Sequence, residues 1–253
     1  MSYVLRNRHY GPLMQPVAIV PTYNERDNID ILLDDLLSLP VNLSVINVDD
    51  NSPDGTGEAA DAWAARYPDR VQVVHRAGKL GLGTAYIAGF KRAFEASFDR
   101  IMTMDADFSH HPRYLPSMLD LSRTRDLVIG SRYVPGGGTL NCTAKRRALS
   151  QGANTFAKVM LGLRAKDCTA GFRCYRREVL QAIDLDSIRS NGYSFLIEMI
   201  FYVQRRGFSI GEVPIIFEDR RRGTSKISRN EILRALQTVE RLSVRRVRDQ
   251  LAR

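Results

Sequence analysis

Apolar and polar positions along the chain set out a regular alternation. Val17-Ala18-Ile19-Val20 is a short apolar, β-branched run stopped by Pro21, the pattern of a strand buried on both faces. Residues 24–28 then lead into Ile29, Leu32, Leu33, Leu36 and Leu37 at helical spacing, with acidic residues near the start where they suit the helix dipole. The pattern predicts a second strand over 43–48 running into Asp49-Asp50, a turn cluster over 51–57 and a helix over 59–66. A third strand over 71–75, a helix over 84–96 and a fourth strand over 100–104 follow, the last ending at Asp105. This rhythm predicts an α/β fold with a mainly parallel sheet and helices on both faces. The second half is less regular. It reads as a strand over 126–130, a flexible Pro-Gly-Gly-Gly segment over 135–138, a helix over 145–160, a loop and strand over 168–176, a helix over 195–204 and a strand over 209–217. No repeat and no linker interrupts it, so a single domain is expected.

Composition changes this picture little. A hydrophobic fraction of 44% and a charged fraction of 26% over 253 residues are ordinary for a globular protein and exclude a low-complexity chain. The net charge of +9 does matter, because it points to a polyanionic partner: nucleic acid, an anionic membrane face or phosphorylated substrates. Cys142, Cys168 and Cys174 lack paired zinc spacing and read as free thiols in a reducing compartment. Residues 1–14 read as a flexible segment without the apolar core of a signal peptide. The greasiest window, 195–203, is short and carries Glu198, so membrane contact is expected from the cytosolic side without a spanning helix. Residues 231–253 form a basic amphipathic helix, with Ile232, Leu233, Leu236, Val239, Leu242, Val247 and Leu251 amid six arginines: Arg234, Arg241, Arg245, Arg246, Arg248 and Arg253. Two readings stay open for it: docking on a membrane surface, or packing on the domain with an arginine-rich outer face.

Three of the first four predicted strands end in polar or acidic residues: Tyr23-Asn24-Glu25, Asp49-Asp50 and Asp105-Ala106-Asp107. Ligands of open α/β sheets sit at such carboxyl ends. Asp105 and Asp107, two apart after a strand, can converge on one hard divalent cation, Mg²⁺ or Mn²⁺, which usually also holds substrate phosphates. Acidic strand ends repel nucleic-acid phosphates unless a metal intervenes, which weighs against a nucleic-acid-binding protein. Residues 79–86 lack the GxxxxGK[ST] pattern and are not a Walker loop. Adjacent His110 and His111 point apart and read as loop packing, and Glu198 reads as a satisfied buried carboxylate. Asp167 stays open between a substrate role and loop structure.

Val20-Pro21-Thr22-Tyr23-Asn24-Glu25, the run from Val48 to Thr56 and Asp105-Ala106-Asp107, in this order, resemble family 2 glycosyltransferases with the GT-A fold. Residues 79–86 (KLGLGTAY) and 105–112 (DADFSHHP) are similar to dolichol-phosphate (polyprenol-phosphate) mannose synthases within that family. Gly130-Ser131-Arg132-Tyr133, Arg146-Arg147 with Ser150, Asp219-Arg220 and Gly223-Thr224-Ser225-Lys226 continue the match, which spans residues 15–230. The resemblance implies a nucleotide-sugar half over 15–110 and an acceptor half over 111–230. It implies that Pro21, Tyr23 and Glu25 cradle the nucleoside, with Asp50 reaching the base or ribose beside Val48. Asp105 and Asp107 would hold the Mg²⁺ or Mn²⁺ that bridges the donor diphosphate, with the Ala106 backbone close by. Arg132 would face the phosphates at the reaction centre, Arg146 and Ser150 would receive the lipid phosphate, and Arg220 and Lys226 would close over the donor. Ser109 stands where some members carry Gln as a third metal ligand.

The implied reaction moves mannose from GDP-mannose to a polyprenyl phosphate with inversion. It would take place at the cytosolic face of a membrane, reached directly or through a membrane-anchoring partner protein. A phosphate monoester, with a second pKa of about 6, needs positioning more than a strong base. UDP-glucose or another nucleotide-sugar on the same lipid is the alternative. No QxxRW motif is present, which disfavours a polysaccharide synthase.

Overall fold

The computed structural model describes residues 14–218 and 229–251, with side chains in the last helix described over 233–248. Nine strands are described: β1 (Pro16–Thr22), β2 (Ser44–Asp49), β3 (Val71–His75), β4 (Arg100–Thr103), β5 (Leu127–Ser131), β6 (Gly138–Leu140), β7 (Arg173–Arg176), β8 (Ile210–Pro214) and β9 (Ile216–Glu218). The helices are α1 (Arg26–Leu37), α2 (Thr56–Arg66), α3 (Leu82–Phe94), α4 (Leu115–Leu121), α5 (Ala144–Leu161), α6 (Arg177–Gln181), α7 (Tyr193–Arg205) and α8 (Arg229–Leu251). Seven strands form one sheet in the order β3-β2-β1-β4-β7-β5-β8, parallel except for β7, which runs against both its neighbours.

Alternation along β1 explains the layering. Val17 and Ile19 enter one apolar cluster with Tyr86, Phe90 and the buried side of α7, while Ala18 and Val20 enter the other with Ile29, Leu32, Leu33 and Leu36 of α1. The sheet is therefore buried on both faces, as near-continuous apolar strands require. Helix α3 lies so close to β1 that a Cβ on Gly89 would stand 2.4 Å from Ile19 Cγ2, a separation open only to glycine.

Several expectations need correction. Pro21 does not stop β1, which runs on to Thr22 with Pro21 opposite Val48; the missing N–H is tolerated near the end of a strand. The glycine segment at 135–138 is not simply a loose loop: Gly138 opens β6, which pairs in parallel with β9. The single strand expected over 209–217 is divided at Ile215 into β8 and β9, which join different sheets. The last helix begins at Arg229 among the described residues, two positions before the expected boundary.

Three arginines of that helix reach back to the domain. Val239 and Leu242 are buried, and on the same side Arg241 meets Glu198, Arg245 donates to the Tyr202 hydroxyl and Arg246 to the Met160 carbonyl. Leu233, Leu236, Val244 and Val247 are exposed instead. The exposed side of the helix is thus mixed, with these four apolar side chains set among the exposed Arg234, Glu240, Arg245 and Arg248, while Arg241, Arg245 and Arg246 each find an acceptor on the domain.

Candidate active site

The loops after β1, β2 and β4 leave the sheet at the same edge. Three of the four non-glycine residues with positive φ among those described lie there: Asn24 at 58°, Asn51 at 57° and Phe108 at 60°. For bulky Phe108 this conformation is unfavourable, and such strain collects at functional sites.

Phe108 sits directly after the acidic pair. Asp105 and Asp107 are half-buried, and each carboxylate is held from within. The Tyr86 hydroxyl donates to Asp105 Oδ1 at 3.3 Å, and the Ser109 backbone N–H donates to Asp107 Oδ1 at 3.0 Å. Tyr86 is fully buried, and burial, with the Asp105 charge adding to it, pushes its pKa well above the ordinary phenol value, so it stays a proton donor. His110 is buried, stacks on Phe172 at 5.2 Å, and accepts the Asp105 N–H on Nδ1. His111 accepts from the Arg113 N–H at the start of the 3₁₀ turn Pro112–Tyr114. Both histidines are thus loop-building residues, as expected of them.

The donor set suits a hard divalent ion. No group of three His, Cys, Asp or Glu side chains able to hold a metal occurs among the described residues, but Mg²⁺ commonly takes only one or two carboxylates and completes its sphere with water and substrate phosphates. Ser109 is 2% exposed, and its hydroxyl is the one side-chain oxygen or nitrogen sealed completely from solvent without a partner among the described residues. An orphaned buried hydroxyl costs about 1–3 kcal/mol, so a ligand near this loop would relieve a real penalty.

Other expected residues fall around this edge. Pro21 and Tyr23 are partly exposed at the end of β1, and Lys79 Nζ lies 4.3 Å from the Tyr23 ring centre. Glu25 precedes α1 and accepts from Asn28. Arg76 donates to Asp50 at 2.6 Å and to Thr84, tying the β2 end to the start of α3. Burial raises the Asp50 pKa despite the opposing Arg76 charge. The side chains of Val48 and Ala106 are buried, so either can meet a ligand chiefly through its backbone.

Arg132 leaves the end of β5 and is locked in place. Its Nε and Nη2 each donate to Asp167 at 2.8 Å, its backbone N–H donates to Asp167 Oδ2, and Nη2 also reaches Thr169. Burial pulls the Arg132 pKa down, but the bonds and charge of Asp167 outweigh it and the pKa rises; for Asp167 burial is likewise outweighed, and its carboxyl lies below the ordinary value. The remaining nitrogen, Nη1, has no hydrogen-bond partner among the described residues. Arg132 lines a cavity of about 300 Å³ with Tyr133, Gly137, Thr139, Arg147 and Gln151. A Cβ on Gly137 would stand 2.5 Å from the Ser131 carbonyl, so glycine lets the chain pass against this wall. Ser150 reaches the same place, its hydroxyl 2.9 Å from the Tyr133 hydroxyl. Arg146 lies in the first turn of α5 but does not line the cavity; Arg147 does. Arg220 and Lys226 lie outside the described residues.

The sequence reading missed Phe217, Arg76 and Gln151. Phe217 joins the two halves, since both the Arg132 guanidinium, at 5.4 Å, and the His110 ring, at 5.6 Å, rest against it. Its position next to Glu218 at the end of an apolar run carried no signal beyond strand propensity.

Residues 17–184 match the model of glycosyl transferase family 2. The chain belongs to that family. The polyprenol monophosphomannose synthase of Mycolicibacterium smegmatis is 44% identical over 235 residues, covering 92% of this chain and 89% of that one. The undecaprenyl-phosphate mannosyltransferase of Micrococcus luteus is 46% identical over 228 residues, covering 90% and 93%. Among solved structures, glucosyl-3-phosphoglycerate synthase from Mycobacterium tuberculosis in complex with Mn²⁺, UDP and phosphoglyceric acid superimposes with a TM-score of 0.64 at 18% identity, over 91% of this chain and 78% of that one. At that identity the neighbour bears on the fold alone, and it agrees with the GT-A expectation. A family 2 glycosyltransferase therefore has its half-buried carboxylate pair and its Asp167-held arginine at one edge of the sheet.

Proposed function

We propose that this glycosyltransferase moves mannose from GDP-mannose to a polyprenyl phosphate with inversion, using Mg²⁺ or Mn²⁺ held by Asp105 and Asp107. The observation that carries the reading is the pairing of those carboxylates with Arg132 across Phe217. His110, which accepts the Asp105 N–H, and Arg132 both rest against Phe217, which supports a metal-diphosphate site neighbouring a cation for a second phosphate. Sugar and acceptor are supported by relatives near 45% identity whose names specify mannose and polyprenyl phosphates.

The bound cation would supply charge neutralisation for the departing nucleoside diphosphate. The chain's own residues do the rest. Pro21, Tyr23, Glu25 and Asp50 orient the nucleoside, and Tyr86 and Ser109 fix the two carboxylates. Arg132 presents Nη1 to phosphate while Asp167 grips its other edge, which is preorganisation of the kind that favours charge developing in the transition state. Arg146 and Ser150 of α5 receive the acceptor phosphate, and Arg220 and Lys226 serve the donor diphosphate. The acceptor phosphate is largely dianionic at neutral pH, so its oxygen attacks the anomeric carbon without a strong general base, and direct displacement inverts the α-linked donor. The lipid acceptor fits an enzyme at the cytosolic face of a membrane, and the exposed Leu233, Leu236, Val244 and Val247 of α8 support direct attachment.

Transfer of labelled sugar from GDP-mannose to a short polyprenyl phosphate, with Mg²⁺ or Mn²⁺ and with EDTA, tests this. Metal-dependent product from the wild type, falling at least 100-fold in a folded Asp107→Ala variant, is expected. Turnover of UDP-glucose with GDP-mannose inert would remove the donor assignment and leave the family; transfer unaffected by EDTA would remove the metal role.

A further inference from the structure

A second cavity, of about 400 Å³, lies between the start of α7 and the first half of α8, and it shares no lining residue with the cavity beside Arg132. Arg189, Arg234 and Arg241 line it together with Ser190, Ser194 and Thr238, and no carboxylate lines it among the described residues. Three guanidinium groups on one concave surface repel one another unless something negative offsets them. Only one is offset: Arg241 donates to Glu198, which is fully buried beneath it, and to the Ser190 hydroxyl. Arg189 and Arg234 have no hydrogen bond or ion pair among the described residues.

The remaining polar groups face the same way. Ser194 is 3% exposed, and its hydroxyl, although on the cavity wall, has no partner among the described residues. Helix α7, thirteen residues long, begins here with no side-chain cap, so first-turn N–H groups and the positive end of its dipole add to the arginines. The rim is built rather than incidental: Ser190 Oγ lies 3.0 Å from Thr238 Oγ1, and Asn191 accepts from the Gly83 N–H and donates to the Leu80 carbonyl, fixing the entry to α7 against the loop before α3.

We propose that this cavity is a binding site for a phosphate group, separate from the catalytic centre and recognised by Arg189, Arg234 and Ser194. Planar guanidinium groups and a helix N-terminus are matched to phosphate oxygens, and Arg241, already committed to Glu198, closes the wall. Free phosphate compounds and the headgroup of a phospholipid offer the same chemistry, and the experiment separates them. The full chain, in EDTA to suppress binding at the carboxylate pair, would be titrated with inorganic phosphate while the backbone amides of 189–195 are followed by NMR. Flotation would be measured on phosphatidylcholine vesicles with and without phosphatidylglycerol. The double variant Arg189→Ala/Arg234→Ala would be compared with a charge-matched Arg66→Ala/Arg125→Ala control.

Saturable shifts at 193–195 in the wild type and the control, weakened about tenfold or more in the cavity variant, are expected for a free phosphate ligand. Phosphatidylglycerol-dependent flotation lost in the cavity variant and kept in the control would instead identify the headgroup. If the cavity variant matches the control in both measurements, the site does not exist. Ser194→Ala, which leaves every arginine in place, should weaken whichever response is found.

Discussion

At the scale of single residues, the buried bond between Asp167 and Arg132 has the largest consequence. Asp167 is fully buried and satisfies three donors of one residue, so its removal strands a cation that has little access to water. Breaking such a pair costs about 3–5 kcal/mol. Asp167→Asn should keep the shape while losing the charge, lowering the transfer rate more than donor affinity, since on our reading Arg132 acts at the reacting phosphates. The pH dependence has a definite sign. The folded-state pKa of Asp167 lies below the ordinary carboxylate value of about 3.9, so the unfolded chain binds more protons there. Its stabilisation is complete above that value and is lost as pH falls through the depressed one. The melting-temperature gap between wild type and Asp167→Asn should therefore be constant near neutrality and close only below about pH 4. A gap that closes already at pH 6 would assign it to another group.

At the scale of elements, the fold was legible wherever apolar periodicity was strong. The stripe from Ile29 to Leu36 is buried as its spacing demanded, the β-branched runs of β1 and β2 are core strands, and that of β3 is the sheet's partly buried edge. The antiparallel course of β7 was not legible, because Arg-Cys-Tyr-Arg does not read as a central strand. Arg173 can be fully buried there only because it donates to the carbonyls of Ala170 and Cys168 and to the Tyr175 hydroxyl. Of the site, the Asp-x-Asp pair was legible because its residues are neighbours in sequence. The grips of Asp167 on Arg132, 35 residues away, and of Arg76 on Asp50, 26 away, were not, since they depend on strand order. Close element packing carries its own prediction. Gly89→Ala should destabilise by about 1–3 kcal/mol through overpacking of Ile19. Adding Ile19→Ala, which removes the Cγ2 atom in the way, should cost less than the sum of the two single changes in denaturant melts. Strict additivity would show that α3 moves rather than clashes.

For the whole molecule, the question is how a chain with no helix among its described residues long and apolar enough to cross a bilayer reaches a lipid acceptor. Two helices that pack on each other bear on it. Along α5, Leu149, Phe156, Val159 and Met160 are exposed, and along α8 Leu233, Leu236, Val244 and Val247 are exposed. Net charge of +9 would add attraction to an anionic leaflet that falls with salt, whereas the apolar contribution would not. Removing α8 entirely is a poor test, because Glu198 would lose Arg241 and the core would lose Val239 and Leu242. Val244→Gln/Val247→Gln leaves those contacts intact, and both positions are more than half exposed, so thermal stability should not change measurably. Losing two valines from the interface should weaken partitioning by about 2–3 kcal/mol, a roughly 30- to 150-fold loss in vesicle flotation that persists at high salt. Transfer to a polyprenyl phosphate embedded in vesicles should fall in parallel, while transfer to a short, water-dispersed acceptor should hold at the wild-type rate. Wild-type flotation by this variant would clear α8 of any docking role and shift attention to α5. Loss of transfer to both acceptors alike would mean that α8 shapes the site rather than the membrane contact.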